Sequence, residues 1–161
     1  MNEMSWERYI FWGFASTIVL TLVMRLSRDI GYTRMDIPLM LGTIFTSNRD
    51  KAKWLGFLFH LVMGWLFSFF YVVAFVTSGL FHWWFGLLIG LIHGLFILVV
   101  GMSILPSIHP RMATEHQGPD PTHQLEPPGF LALNYGRKTP IVTLFAHLVY
   151  GTILGFFYHS S

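Results

Sequence analysis

Four runs of this sequence are long and apolar enough to cross a lipid bilayer, and no other feature constrains its fold as tightly. They extend from Tyr9 to Met24, Trp54 to Thr77, Phe81 to Leu105 and Pro140 to Tyr158. About 20 apolar residues suffice to cross a hydrocarbon core of roughly 30 Å. Inside that core backbone N–H and C=O groups have no water to bond, so a short run satisfies them only by becoming a helix. The expected fold is therefore an all-α integral membrane protein with helices at about 9–27, 48–77, 81–105 and 139–158. Loops are expected at 28–47 and 106–138, and the whole of 1–161 is read as a single transmembrane domain.

Composition agrees with this reading. Charged residues make up 11% and hydrophobic ones 53% of the chain, against roughly 25% charged in soluble domains. The start, MNEMSWERY, lacks the basic region and small-residue cleavage site of a secretory signal, so the first run is expected to remain as a membrane helix. The absence of cysteine excludes disulfides, thiolate metal sites, cysteine nucleophiles and cysteine-held iron–sulfur clusters.

A pI of 9.1 would point to nucleic acid in a soluble protein. Here the placement of the charges gives a better account, and no nucleic-acid partner is expected. Of the ten basic residues, Arg25, Arg28, Arg34, Arg49, Lys51 and Lys53 lie between the first two helices and Arg111, Arg137 and Lys138 between the last two, which leaves Arg8. With four spans both long loops share one side. The positive-inside rule then predicts those loops in the cytoplasm and both termini outside. Trp6, Tyr9, Trp12, His82, Trp83, Trp84 and Tyr158 form the expected outer aromatic belt, and Trp54 marks the inner interface.

The loops carry signals of their own. Asp36 is a helix N-cap candidate before the short apolar run Ile37 to Gly42, too short to span and expected to lie in the interface or re-enter. Ser47-Asn-Arg-Asp50 has capping-box spacing and predicts an early start for the second helix. Thr139-Pro140 does the same for the fourth. The segment from Pro128 to Leu133 is a second short apolar patch. An internal repeat is also visible: His60 to Tyr71 (HLVMGWLFSFFY) and His147 to Tyr158 (HLVYGTILGFFY) share seven of twelve positions. Both copies run in the same sense, which predicts a duplicated two-helix unit about an axis along the membrane normal. Convergent membrane composition is the alternative.

In lipid, helices associate where small residues allow close approach. Gly64-xxx-Ser68, Gly86-xxx-Gly90-xxx-Gly94 continued by Gly101, Gly151-xxx-Gly155 and Gly13-xxx-Thr17-xxx-Thr21 mark the predicted packing faces. Three histidines lie near these stripes. At 100° per residue His93 falls about 20° from Gly86, and His60 and His147 each precede their stripe's first glycine by one turn. At 1.5 Å per residue His60 is about 9 Å above Trp54 and His147 about 12 Å above Thr139, nearly level, whereas His93 is about 18 Å above Leu105.

Ionisable groups inside a membrane are costly and point by default to function. Two level imidazoles, His60 and His147, have the chemistry to hold a b-type haem, with the glycines leaving room for the macrocycle and Arg49, Lys51, Lys53, Arg137 or Lys138 meeting the propionates. His60, His93 and His147 together would offer three nitrogens to a divalent metal such as zinc or copper, with His93 about one turn too deep. A proton relay is a third use. The plain alternative is that buried neutral histidines fasten the bundle by hydrogen bonds.

The second loop adds His109, His116 and His123 with Glu115, Asp120 and Glu126, a spacing that fits no recognised zinc pattern. Arg25, Arg28 and Asp29 suit a local ion pair or a lipid phosphate, though snorkelling to the interface is the simpler reading, and the basic first loop attracts anionic lipid in any case. No Ser-His-Asp order, phosphate-binding loop, HExxH or paired-carboxylate motif is present.

The segments Gly13 to Met24, Asp36 to Asp50, Leu105 to Met112 and Leu125 to Pro140, with the His147-Leu-Val-Tyr-Gly151 stretch, resemble a family of small bacterial four-helix integral membrane proteins with no assigned activity. That resemblance implies a bacterial plasma (inner) membrane location and nothing about chemistry. Two functional classes follow. One is a membrane protein holding haem or a metal through His60 and His147. The other is a non-catalytic accessory or scaffold subunit that binds membrane lipid, another membrane protein or a second copy of itself.

Overall fold

The computed structural model describes residues 4–114 and 125–158. Among them, four helices are long and apolar enough to cross a membrane: Trp6–Asp29, Arg49–Ser78, Trp83–Ile108 and Thr139–Phe157. The first is α1. It leads to a short helix α2 (Ile37–Gly42) and then to α3 (Arg49–Ser78). The third span consists of α4 (Trp83–Phe96), a π-turn (Ile97–Gly101) and α5 (Met102–Ile108); a 3-10 turn (Phe130–Tyr135) precedes α6 (Thr139–Phe157). No strand occurs among the described residues, only an isolated bridge between Met112 and Leu125.

Local chemistry accounts for the helix ends. Asp36 caps α2 by accepting the Leu39 N–H at 3.0 Å, as its position before the apolar run predicts. The α3 cap is Asn48, one residue beyond the expected Ser47; its side chain accepts the Lys51 N–H at 3.0 Å. Gly79 closes α3 in the left-handed conformation at φ 70°, which costs glycine no Cβ clash. That turn is what lets α4 begin only four residues later.

α6 sits at the centre of the bundle. It packs against α4 on one side and α1 on the other, and α1 in turn packs on α3. α3 and α4 meet through ring contacts such as Phe75 against Phe85 and Phe67 against His93. The outer surface exposes Phe11, Leu22, Leu58, Leu66, Phe70, Ile92, Ile141 and Phe145. A belt of that kind suits lipid tails, since soluble monomers rarely expose large contiguous apolar patches.

At the basic end both connections fold back onto the helices. α2 lies on the start of α3, where a side chain at Gly42 would meet the Ala52 carbonyl and one at Gly56 the Pro38 carbonyl. The second connection packs through its 3-10 turn, in which Leu131 and Ala132 stand at φ 53° and 59°. Thr33 and Thr139 share a hydrogen bond at 2.7 Å, and Arg34 meets Glu126 at 3.1 Å. His116, His123, Glu115 and Asp120 lie outside the described residues.

Candidate functional site

Two regions combine polar chemistry with an apolar setting: the histidines in the bundle and a cleft at its basic end.

His93 and His147 touch. Their ring centroids are 4.8 Å apart with the planes at 82°, and Phe67 stacks on the other side of His93 at 4.5 Å. The His93 Nδ1 lies 3.1 Å from the Tyr71 hydroxyl. The His147 Nδ1 is 2.8 Å from the Thr143 carbonyl oxygen, so that nitrogen carries the proton and donates. His60 faces α1 instead, with Nδ1 3.0 Å from Thr21 Oγ1. The Thr21 hydroxyl already donates to the Thr17 carbonyl at 2.7 Å, so His60 is the donor to Thr21. Tyr150, between the two groups, donates its hydroxyl to the Gly64 carbonyl at 2.6 Å. Each imidazole therefore has one ring nitrogen engaged by a neighbouring helix or by its own preceding turn.

The contact between His93 and His147 differs from the expectation that His93 lies about one turn too deep to join the other two. The reason is axial register. A side chain at Gly86 would meet the Gly151 carbonyl and one at Gly90 the His147 carbonyl, so in the antiparallel α4–α6 pairing the two helix ends used to count depth are not level. One turn further on, a side chain at Gly94 would meet Leu144 and His147, which sets the neighbouring His93 against His147.

Seven of the eight glycines on the predicted packing faces stand at close approach, Gly13 against Ser68 among them. Gly86, Gly90, Gly151 and Gly155 are opposed by backbone, Gly94 by the His147 side chain at 3.1 Å, and Gly64 by Thr17. Gly101, expected to continue the stripe, has nothing nearer than Ile97 at 3.8 Å. The π-turn over Ile97–Gly101 is the cause, because its wider winding rotates the following residues off the packed face. The glycine faces next to His60 and His147 are thus filled by Thr17 and by the α4 backbone. Among the described residues, no three or more His, Cys, Asp or Glu side chains are grouped so as to hold a metal ion.

The basic end is built differently. A cleft of about 420 Å³ opens between α1, α2 and α3. Ile18, Leu22, Ile37, Pro38 and Phe57 wall it, and Arg25, Arg28, Asp36 and Lys53 supply its polar rim beside Trp54. The α1 residues Ile18, Leu22 and Arg25 recur at helical spacing and so share one face. Arg28 pairs with Asp36 across the cleft and reaches Asp29 at 3.4 Å. Arg25 meets Asp29 only at 4.0 Å, with its side chain 71% exposed. The sequence offered Arg25, Arg28 and Asp29 for a local ion pair or a lipid phosphate, with snorkelling the simpler use, and did not single out Asp36 as the partner of Arg28 across the cleft; the sign that existed was an acid eight residues after Arg28.

Beside this cleft the second connection latches onto α2. His109 Nε2 donates to the Met40 carbonyl at 2.9 Å, its Nδ1 accepts the Arg111 N–H at 3.1 Å, and Arg111 Nη1 donates to the Thr43 carbonyl at 2.7 Å. Both nitrogens of a neutral ring are used. Burial lowers the His109 pKa below its ordinary value, partly offset by the Met40 bond. Tyr135 donates to the Glu126 carbonyl at 2.6 Å, and burial, helped by the Glu126 charge, pushes it up to about 12.

No protein-family model, curated protein or solved structure matches this chain.

Proposed function

We propose that the protein is a non-catalytic accessory component of a bacterial plasma membrane, with its basic end in the cytoplasm, and that the cleft between α1, α2 and α3 holds an anionic membrane lipid. The observation that carries this reading is the joining of apolar walls to a rim of Arg25, Arg28 and Lys53 in one 420 Å³ cleft. Acyl chains fill the apolar part and the headgroup phosphate meets the cations. Trp54, 72% exposed at the cleft's edge, belongs at a headgroup level, where amphipathic rings concentrate. The nine basic residues on that side and the one on the other support the same orientation.

We read the two halves as copies of one helix–loop–helix unit, supported by the seven shared positions of the second and fourth spans. Each half also folds a short helical segment onto its basic end, α2 in one and the 3-10 turn in the other. The intramembrane histidines act in this reading as fasteners.

The test is lipid retention. Protein purified in mild detergent should keep anionic lipid through delipidation, measured by native mass spectrometry. Each cation near an anionic headgroup contributes about 1 kcal/mol, so Arg25→Gln with Lys53→Gln should weaken retention roughly 30-fold. Equal retention by the double variant would reject the proposal.

A further inference from the structure

The cleft's polar rim is not simply basic, because Asp36 stands among its cations. Its carboxylate accepts two bonds, from the Leu39 N–H through Oδ1 and from Arg28 through Oδ2. A carboxylate has about four acceptor sites. Two therefore remain on a group that lines the cleft and is still 17% exposed. A bound phosphate cannot use them, since two anions repel. A hydroxyl hydrogen can.

Resting on the lipid reading above, we propose that the cleft selects an anionic phosphodiester lipid whose headgroup ends in hydroxyl donors. The phosphate sits on Arg25 and Lys53, which are less committed than Arg28, and the terminal hydroxyl donates to Asp36. The same carboxylate disfavours a doubly charged phosphomonoester. Selectivity comes from the acid and affinity from the bases.

The experiment compares phosphatidylglycerol with phosphatidylmethanol, which share charge, phosphodiester and acyl chains but differ in the headgroup hydroxyls. Full-length protein in mild detergent is equilibrated with equal amounts of the two and bound lipid is read by native mass spectrometry. The native chain should retain phosphatidylglycerol about tenfold better, the scale of one hydrogen bond to a charged group. Asp36→Ser keeps a side chain able to cap α2 but withdraws the carboxylate. It should lose that preference while binding phosphatidylmethanol at least as well as before, because Arg28 is released.

Asp29→Asn is the control. It removes an equal charge from Arg25 and Arg28 outside the cleft's lining, and should keep the preference. Equal retention of both lipids by the native chain would overturn the selectivity alone, as would an unchanged preference in Asp36→Ser. Retention of neither lipid would bring down the lipid reading and this inference with it. Displacement of bound lipid by millimolar soluble glycerophosphoglycerol would overturn the lipid as occupant in favour of a free phosphodiester. Circular dichroism melts on each variant confirm that retention is compared between folded proteins.

Discussion

The two helix pairs of this bundle are joined in opposite ways. α4 and α6 meet backbone to backbone, with Gly86 and Gly90 on one helix against Gly151, Gly155 and the His147 carbonyl on the other. α1 and α3 meet through side chains: Thr17 over Gly64, Tyr9 stacked on Trp65 at 5.4 Å and His60 on Thr21. Toward the basic end α2 packs on α3, and the cleft opens between these two and α1. Close backbone approach leaves no space for a ligand, whereas separation stabilised by side chains does. The tight half therefore holds the bundle together and the open half carries the cleft.

The comparison breaks most sharply at the glycines. Gly151→Leu should destabilise by about 3 kcal/mol or more, since the new side chain meets the Gly86 carbonyl and overpacking of even ordinary cores costs 1–3. Gly101→Leu, on the same span as Gly86 but off the packed face, should change stability by under about 0.5 kcal/mol. Thermal unfolding in detergent measures both, and similar losses would show that the two positions do not differ as described. A substitution in the open half should separate binding from stability. Leu22→Trp, on a half-exposed cleft wall, should fill the cleft and lower lipid retention at least tenfold while the melting temperature stays within a few degrees.

Protonation sharpens the comparison at the latch between the halves. The folded pKa of His109 is depressed, so between that value and the unfolded value of 6.5 the folded chain binds fewer protons than the unfolded one. Its contribution is fully present above pH 6.5 and is lost as pH falls below it. Hydrogen exchange at residues 40–44 should accelerate as pH drops from 7.5 to 5.5, after correction for intrinsic rates, and a flat profile would remove His109 from the latch. The smallest effects belong to the intramembrane histidines. His60→Gln should cost about 0.6 kcal/mol, the usual value of one interhelical hydrogen bond in a membrane, and His93→Gln a similar amount; losses of several kcal/mol would show a heavier role than fastening.

Much of the fold was legible because it rests on local chemistry. Hydropathy marks the spans, Asp36 caps α2 where an acid before an apolar run should, and small residues at four-residue spacing mark Gly86, Gly90 and Gly94 for close approach. The candidate site was legible only in pieces. Arg25 and Arg28 suited an ion pair, a lipid phosphate or plain snorkelling, yet the cleft depends on where α2 settles. That in turn depends on Gly42 and on Gly56, a four-residue step from Ala52 that the predicted Gly64-xxx-Ser68 face did not include, and they touch Ala52 and Pro38 only after folding. The pairing of His93 with His147 was hidden for a related reason, since a depth counted from helix ends assumes that neighbouring helices end level.

The sequence by itself determined which segments become apolar helices, how many there are, where most of them begin and which faces carry small residues, because backbone pairing, capping and hydropathy act over a few residues. Only the tertiary structure decided the axial register of α4 against α6, the turning of Gly101 off its stripe at the π-turn, and the opening between α1, α2 and α3. Those features depend on how residues far apart in the chain fit against each other, and a sliding of about one helical turn, roughly 5 Å, changes every such contact while leaving the local signals untouched.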